Sequence, residues 1–206
     1  MTNFKNWLWL LLFGSLWGIG EVIAGGVLYR DTVPYASVWL TAWALFVLAV
    51  GRGVLNKPGS STVIGAFATV FKLVNTGPFF CHLLGIFILG LAFDIVSTLL
   101  MKNERKISYR SSFSGAVSAY GGYALFALVV TYIVRYEYWT VEGLAKVLHH
   151  IFVSGSFAAL MAIIVVPLGY WIGINGGTIA ERRPRWTYAG TLVALVVLWT
   201  LGRVAG

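Results

Sequence analysis

Charge is what this sequence lacks most. Only 11% of its 206 residues are charged, whereas 59% are apolar. A typical soluble domain has about a quarter of its residues charged. No polar segment is long enough to form a soluble domain of its own. Because so few charges cannot cover a water-facing surface, the sequence predicts one integral membrane domain over residues 1–206.

Cysteine, strand-like alternation and nucleotide-binding motifs are also scarce or missing. The single cysteine, Cys81, excludes an internal disulfide and a multi-cysteine metal site. The apolar segments lack the two-residue alternation of a membrane barrel, which leaves helices as the spanning elements. No G-x-x-x-x-G-K-[ST] motif is present, so ATP-driven work would need a partner ATPase. The predicted fold is an all-α polytopic transmembrane helical bundle.

The apolar runs predict six to seven membrane spans. Lys72 interrupts the third run early, and a re-entrant third segment would reduce the count from seven to six. Ser60 or Ser61 is the expected N-cap of that segment. The predicted spans are residues 7–29, 35–51, 60–75, 80–101, 113–134, 147–174 and 186–202.

The net charge of +8 is concentrated in short loops, which indicates membrane topology and not nucleic-acid binding. Cytoplasmic loops of membrane proteins are enriched in Lys and Arg. Seven spans put Lys5, Arg52, Lys57 and the 102–110 and 182–185 loops on one side. We therefore predict a multi-pass protein of the cell membrane with a cytoplasmic N-terminus.

Asp94 is the one full charge in the cleanest apolar run, 80–101. A carboxylate at such depth costs a few kcal/mol, so it should face the bundle interior or a watery cavity. Gly90, Ser97 and Thr98 share its helix face. A functional contact with substrate, ion or partner subunit and a buried ion pair both remain open. The basic loop that follows the span favours a pair or a subunit contact.

Glu21 lies on a stripe of small residues in span one, with Gly14, Gly18 and Gly25. Such stripes allow helices to approach closely in lipid. Lys72 is expected at a similar depth, near the outer end of span three. We therefore predict a Glu21–Lys72 pair that either lines a substrate site or locks the bundle.

Three histidines are expected at the same outer side, His82 beside Cys81 and the pair His149-His150. Imidazole and thiolate suit zinc or copper. Adjacent residues on a helix, however, point about 100° apart and rarely bind one ion together. We predict no metal or other cofactor, and we assign His82, His149 and His150 to the substrate site with Glu21 and Lys72.

Three stretches, FGSLWGIGEVIAGGVLY, NKPGSSTVIGAFATVFKL and PFFCHLLGIFILGLAFDIVSTLL, resemble a poorly characterised branch of the substrate-binding S-component-like proteins of energy-coupling factor (ECF) transporters. The resemblance covers roughly residues 8–100. It implies a small helical bundle that captures a vitamin or similar micronutrient and works with a transmembrane coupling subunit and cytoplasmic ATPases. It also implies that the small-residue face of span one, here Gly14 and Gly18, docks the coupling subunit. The family usually has Ala-x-x-x-Ala there.

Three functions are therefore weighed. The first is a binding subunit for uptake of a small solute, with no catalysis and no nucleic-acid partner. The second is a membrane scaffold or assembly subunit without a ligand, in which the buried charges only lock the bundle. The third and most remote is an intramembrane enzyme, since no catalytic motif is present: the rhomboid-like Val153-Ser154-Gly155-Ser156 lacks the first glycine of G-x-S-G.

Overall fold

The computed structural model describes residues 4–101 and 109–206, and all the regular structure in these residues is helical. Six helices are long and apolar enough to cross a membrane, and a shorter apolar helix lies between the second and third of them. The chain is thus an all-α, polytopic bundle of the kind expected for a multi-pass membrane protein. Its helices are α1 (Phe4–Arg30), α2 (Ala36–Leu55), α3 (Ser60–Asn75), α4 (Phe80–Leu100), α5 (Tyr109–Leu128), α6 (Glu137–Thr140), α7 (Gly143–His149), α8 (Gly155–Arg182) and α9 (Pro184–Ala205).

Two π-helical turns extend these helices. Val129–Ile133 continues α5, and His150–Ser154 joins α7 to α8. Residues 143–182 therefore form one apolar run, longer at both ends than the predicted span 147–174. The helix continues through Asn175, whose side-chain amide donates to the Trp171 carbonyl at 2.9 Å. Gly177, farther along, packs against Val54 of α2.

Helix α2 is also longer than predicted, because Arg52 does not end it. The Arg52 side chain is only 3% exposed and lies 3.5 Å from the Asp94 carboxylate. A solvated arginine usually marks the point at which a spanning helix reaches the membrane surface. An arginine that is paired with a carboxylate inside the bundle does not mark that point, so the helix can continue past it. The helix instead ends at Leu55, and the C-cap residue Asn56 adopts a left-handed conformation.

Contacts between side chains set the directions of the helices. Gly14 of α1 faces Phe67, and Gly18 faces Phe71 one turn later, so α1 and α3 are parallel. Helix α9 runs the same way, because Trp199 packs against Phe71 and, one turn later, Arg203 donates to the Val74 carbonyl at 3.1 Å. Helices α2, α4 and α8 run in the opposite direction, and α5 runs parallel to α1, because Gly115 of α5 faces Val166 of α8 and Tyr120 faces Gly155.

The short helix α3 runs through the bundle from one end to the other. Its first turn contacts Asp94, and its last turn places Lys72 beside Glu21. Its 16 residues correspond to about 24 Å, somewhat less than the ~30 Å hydrocarbon thickness of a bilayer. With α3 counted, the six long apolar helical segments and α3 alternate in direction along the chain, as seven passes require.

The two ends of the bundle differ in composition. The end that holds Arg52, Lys57 and Asp94 is called the basic end below. The opposite end is called the aromatic end and holds Tyr29, His82 and Trp139. Of the predicted 102–110 basic loop, Lys102, Glu104, Arg105 and Lys106 lie outside the described residues.

Small residues bring the helices together, as expected in lipid, where close packing has a larger role than the hydrophobic effect. A Cβ added at Gly90 would lie 3.0 Å from the Gly65 Cα, so α3 and α4 meet almost backbone to backbone. Large side chains with no exposed area fill the centre, including Trp17, Leu45 and Phe93. Helix α9 lies at the periphery and buries only Thr191, Leu195 and Gly202.

The predicted docking face on span one is not available to a partner. Gly14 and Gly18 are both buried, and α3 covers them with Phe67 and Phe71. A Cβ at Gly18 would approach the Phe71 ring at 2.7 Å. The small residues therefore serve helix packing within the chain.

Candidate solute-binding cavity

A cavity of about 630 Å³ lies at the aromatic end of the bundle. Its walls come from helices α1 to α5, the turn between α1 and α2, and the segment 138–154. All five residues predicted from the sequence to bind substrate line it: Glu21, Lys72, His82, His149 and His150. The fold thus brings together side chains that are up to 129 positions apart in the chain.

Glu21 and Lys72 form an ion pair at the floor of this cavity. The Lys72 ammonium lies 2.8 Å from Glu21 Oε2, and the two side chains are only 7% and 9% exposed. The other carboxylate oxygen accepts a hydrogen bond from Trp17 Nε1, one helical turn away, at 3.3 Å. An ammonium group has three N–H donors, and Glu21 is the one acceptor for Lys72 among the described residues. Lys72 therefore keeps donors free while lining the cavity.

Three hydroxyl groups form a second polar cluster on the cavity wall. The Tyr123 hydroxyl lies 3.3 Å from Thr41 Oγ1 and donates to Ser37 Oγ at 3.4 Å. Helix α5 positions Tyr123 because Gly122, beside it, packs against Leu89 of α4. No sequence pattern singles out these three residues, because isolated hydroxyl side chains recur in many of the apolar helices. Gly122, a small residue beside Tyr123, is the sequence feature that marks this face of α5 for close helix packing.

Stacked rings form much of the remaining wall. Tyr29 stacks on His82 with centroids 5.0 Å apart and planes 19° apart. Tyr123 stacks on His150 at 4.6 Å and 28°. Two of the predicted histidines are thus held by tyrosines from neighbouring helices. His149 lines the cavity but is exposed.

The segment between α5 and α8 covers the aromatic end. Two residues with positive φ turn the chain there, Arg135 (54°) and Gly143 (56°). Trp139 is buried and packs edge-on against Phe126 and His150. At the rim, the Lys146 ammonium lies 2.5 Å from the Glu142 carboxylate and 3.3 Å from the centre of the Tyr138 ring. The short helices therefore place aromatic rings over the cavity.

Cys81 and the histidines do not assemble a metal centre. Cys81, His82, His149 and His150 line the same cavity, but no three His, Cys, Asp or Glu residues in ranges 4–101 and 109–206 are grouped to hold a metal ion. His82 and His150 instead stack on separate tyrosines. Both histidines therefore contribute ring faces to the cavity wall.

Asp94 lies at the basic end, away from the cavity. Its carboxylate accepts hydrogen bonds from the Gly59 and Thr62 backbone amides, at 3.0 and 2.9 Å. It also accepts from the Thr62 and Thr98 hydroxyls and lies 3.5 Å from Arg52. Of the two interpretations weighed for Asp94, this is the buried ion pair.

Asp94 also caps α3 from a neighbouring helix. The expected cap at Ser60 or Ser61 is wrong, because Gly59 precedes the helix in a left-handed conformation with φ of 85°. The Ser60 hydroxyl donates to the Lys57 carbonyl instead. A carboxylate at a helix N-terminus satisfies free amides and complements the helix dipole. Sequence patterns reveal caps only when they are local.

These features define a polytopic helical membrane protein with an aromatic cavity and a buried ion pair at its floor. No protein-family model, curated protein or solved structure matches the chain.

Proposed function

We propose that the protein is a membrane-embedded substrate-binding subunit for the uptake of a small solute, such as a vitamin or micronutrient. The observation that carries this proposal is the cavity of about 630 Å³, with the Glu21–Lys72 pair at its floor and stacked rings in its walls. Ligand sites are concave, 300–1,000 Å³ in volume, and aromatic with a few polar groups. The cavity has each of these properties.

Charge distribution supports an outward opening. Lys5, Arg52, Lys57 and the 182–185 loop belong to the basic end. If the positive-inside rule holds, this end and the N-terminus are cytoplasmic in the cell membrane. The cavity then opens to the outside, where a solute would be captured.

Transport would require partners, since the sequence has no ATPase motif. The resemblance to ECF substrate-binding proteins supports a transmembrane coupling subunit and cytoplasmic ATPases. Because α3 covers Gly14 and Gly18, a coupling subunit would have to bind another surface of the bundle.

One observation favours the second candidate, a scaffold without a ligand. Both internal carboxylates already have cationic partners, Lys72 for Glu21 and Arg52 for Asp94. Two such pairs would hold four helices, α1 to α4, together even if nothing entered the cavity.

A cavity-filling variant separates the two functions. Gly85 lines the cavity, and a Cβ there would meet the Phe126 ring at an ordinary 3.6 Å. Gly85→Leu should therefore fold while occupying solute space. Gly121→Leu is the matched control, because Gly121 is exposed on α5 with no neighbour within 4 Å.

The measurement is mass spectrometry of small molecules that co-purify from native membranes in lipid nanodiscs. We expect the wild type and Gly121→Leu to retain a solute, and Gly85→Leu to retain at least about tenfold less, because its side chain removes ligand contacts. A solute-free wild type that is not stabilised against heat by any member of a vitamin panel contradicts the proposal and favours the scaffold.

A further inference from the structure

The floor of the cavity has no net charge. Glu21 and Lys72 neutralise each other at 2.8 Å. A charged solute would be attracted by one member of the pair and repelled by the other. It could neutralise the first member only by separating it from the second, and an unpaired charge inside the bundle is costly. A neutral polar group meets no such penalty. The floor therefore disfavours solutes that place a net charge there.

The same pair offers complementary hydrogen-bonding groups side by side. Lys72 keeps N–H donors free, and each Glu21 oxygen has a single donor, Trp17 or Lys72. A carboxylate has about four acceptor positions, so Glu21 can accept further bonds. A solute carbonyl would bind Lys72 while an adjacent solute N–H binds Glu21, with the ion pair intact.

The other polar groups of the cavity are also neutral or already compensated. Ser37, Thr41 and Tyr123 contribute hydroxyl groups. The charge of Lys146 is met at the rim by Glu142 and by the Tyr138 carbonyl at 3.0 Å. These groups can bind polar atoms along the edge of a solute and add no uncompensated charge.

The walls select for a flat solute. Tyr29 and His82 form one stack and Tyr123 and His150 another, and all four rings line the cavity. Offset stacking on such rings contributes beyond the area that is buried. The volume of about 630 Å³ has room for a fused bicyclic ring with a substituent.

We infer that the solute is a neutral, planar nitrogen heterocycle with an N–H donor next to a carbonyl acceptor, as in a lactam, a cyclic ureide or a nucleobase. This inference rests on the proposed function, and it adds the chemical class of the solute. The heterocycle lies with its donor–acceptor edge on Glu21 and Lys72 and its faces against the tyrosine–histidine stacks.

Four probes of similar size test the class on the wild-type protein in nanodiscs, by equilibrium binding at neutral pH. Lumazine is a neutral bicycle with adjacent N–H and carbonyl groups. The dimethyllumazine used for comparison is methylated on both N–H nitrogens, so it keeps the rings but loses those donors. Naphthoate is the anionic probe and naphthylmethylammonium the cationic one. We expect lumazine to bind at least about tenfold more tightly than the other three, because each of them leaves a buried polar group unpaired.

Charge variants should then change the preference in opposite directions. Glu21→Gln leaves Lys72 without a counter-charge, so naphthoate should become the tightest-binding probe. Lys72→Met leaves Glu21 unpaired, so naphthylmethylammonium should become the tightest. If either variant does not fold, Tyr123→Phe keeps both charges and should weaken lumazine, whereas Tyr120→Phe should not, because Tyr120 contacts Ser156 outside the cavity.

The outcomes separate the inference from the proposed function. If naphthoate, naphthylmethylammonium or dimethyllumazine binds the wild type most tightly, the inference is overturned and the solute-binding function stands. If no probe binds, the solute that co-purifies decides: a neutral heterocyclic lactam or ureide supports the inference, and an aliphatic or charged solute overturns it. If neither a probe nor a native solute binds, both fall.

Discussion

Two buried carboxylates at opposite ends of the bundle illustrate how surroundings decide the role of a residue. Asp94 accepts four hydrogen bonds and faces Arg52, so its bonding capacity is filled. Glu21 has one donor on each oxygen, and its partner Lys72 keeps free donors at the cavity. We therefore assign Asp94 to stability and the Glu21–Lys72 pair to stability and solute binding together.

The double role of Glu21 and Lys72 predicts a particular pattern of stability. Glu21→Gln or Lys72→Met alone leaves a buried charge without its partner, which costs about 3 kcal/mol or more. The double variant removes both charges and should regain most of the lost free energy of unfolding. Denaturant titration in micelles or nanodiscs measures all three variants against the wild type.

Solute binding separates this account from a purely structural pair. The double variant should fold and yet retain much less co-purified solute than the wild type. Full retention of the solute in a stable double variant would mean that the pair only locks the helices. If the double variant instead loses as much free energy of unfolding as the two single variants together, the two charges do not interact.

At the scale of elements, α3 is the helix whose position depends most on its neighbours. It is short for a bilayer and has a glycine, Gly59, as its N-cap, without a local side-chain cap. Asp94 of α4 satisfies its first amides, and Lys72 ties its last turn to α1. Both ends of α3 are therefore fixed by charges on other helices, in addition to the close contact of Gly65 with Gly90.

Removing the cap should loosen the start of α3. Asp94→Ala leaves the Gly59 and Thr62 amides without their acceptor and the Arg52 guanidinium without its counter-charge, and we expect a loss of about 3 kcal/mol. Hydrogen exchange of the backbone amides of residues 59–63 should accelerate more than that of α2 or α5. Asp31→Ala is the control, because Asp31 forms an exposed contact with Arg30.

An unchanged exchange rate at residues 59–63 in Asp94→Ala would show that packing alone positions α3. Solute binding at the aromatic end should persist in this variant under conditions where it stays folded, since Asp94 does not line the cavity.

At the scale of the whole molecule, the apolar runs were enough to predict the helical bundle, because spanning helices leave long, continuous signals. Helix ends were predicted less well where a charge is paired internally, as with Arg52. The cap of α3 was missed because Asp94 is 32 to 35 positions away from the amides it binds.

The candidate site was predicted in part. Charged residues and histidines in apolar helices are rare enough to stand out, so Glu21, Lys72 and His82 could be selected from the sequence. Tyr29, Tyr123 and Trp139 could not, because aromatic residues make up 16% of the chain and only the packing distinguishes a cavity wall from a lipid-facing ring. The Gly14–Gly18 stripe indicated a close helix contact correctly but not which helix makes it.

The central claim is that the aromatic end holds a solute cavity open to the outside. Cys81 tests it most directly, because it is the single cysteine of the chain, is not in a disulfide and lines the cavity. A membrane-impermeant thiol reagent should label Cys81 in intact cells, and Cys81→Ser provides the background. Labelling should be slower in Gly85→Leu, whose added side chain narrows the cavity, than in Gly121→Leu. Labelling only from the cytoplasmic side of inverted vesicles, or at equal rates in the two glycine variants, would contradict the account.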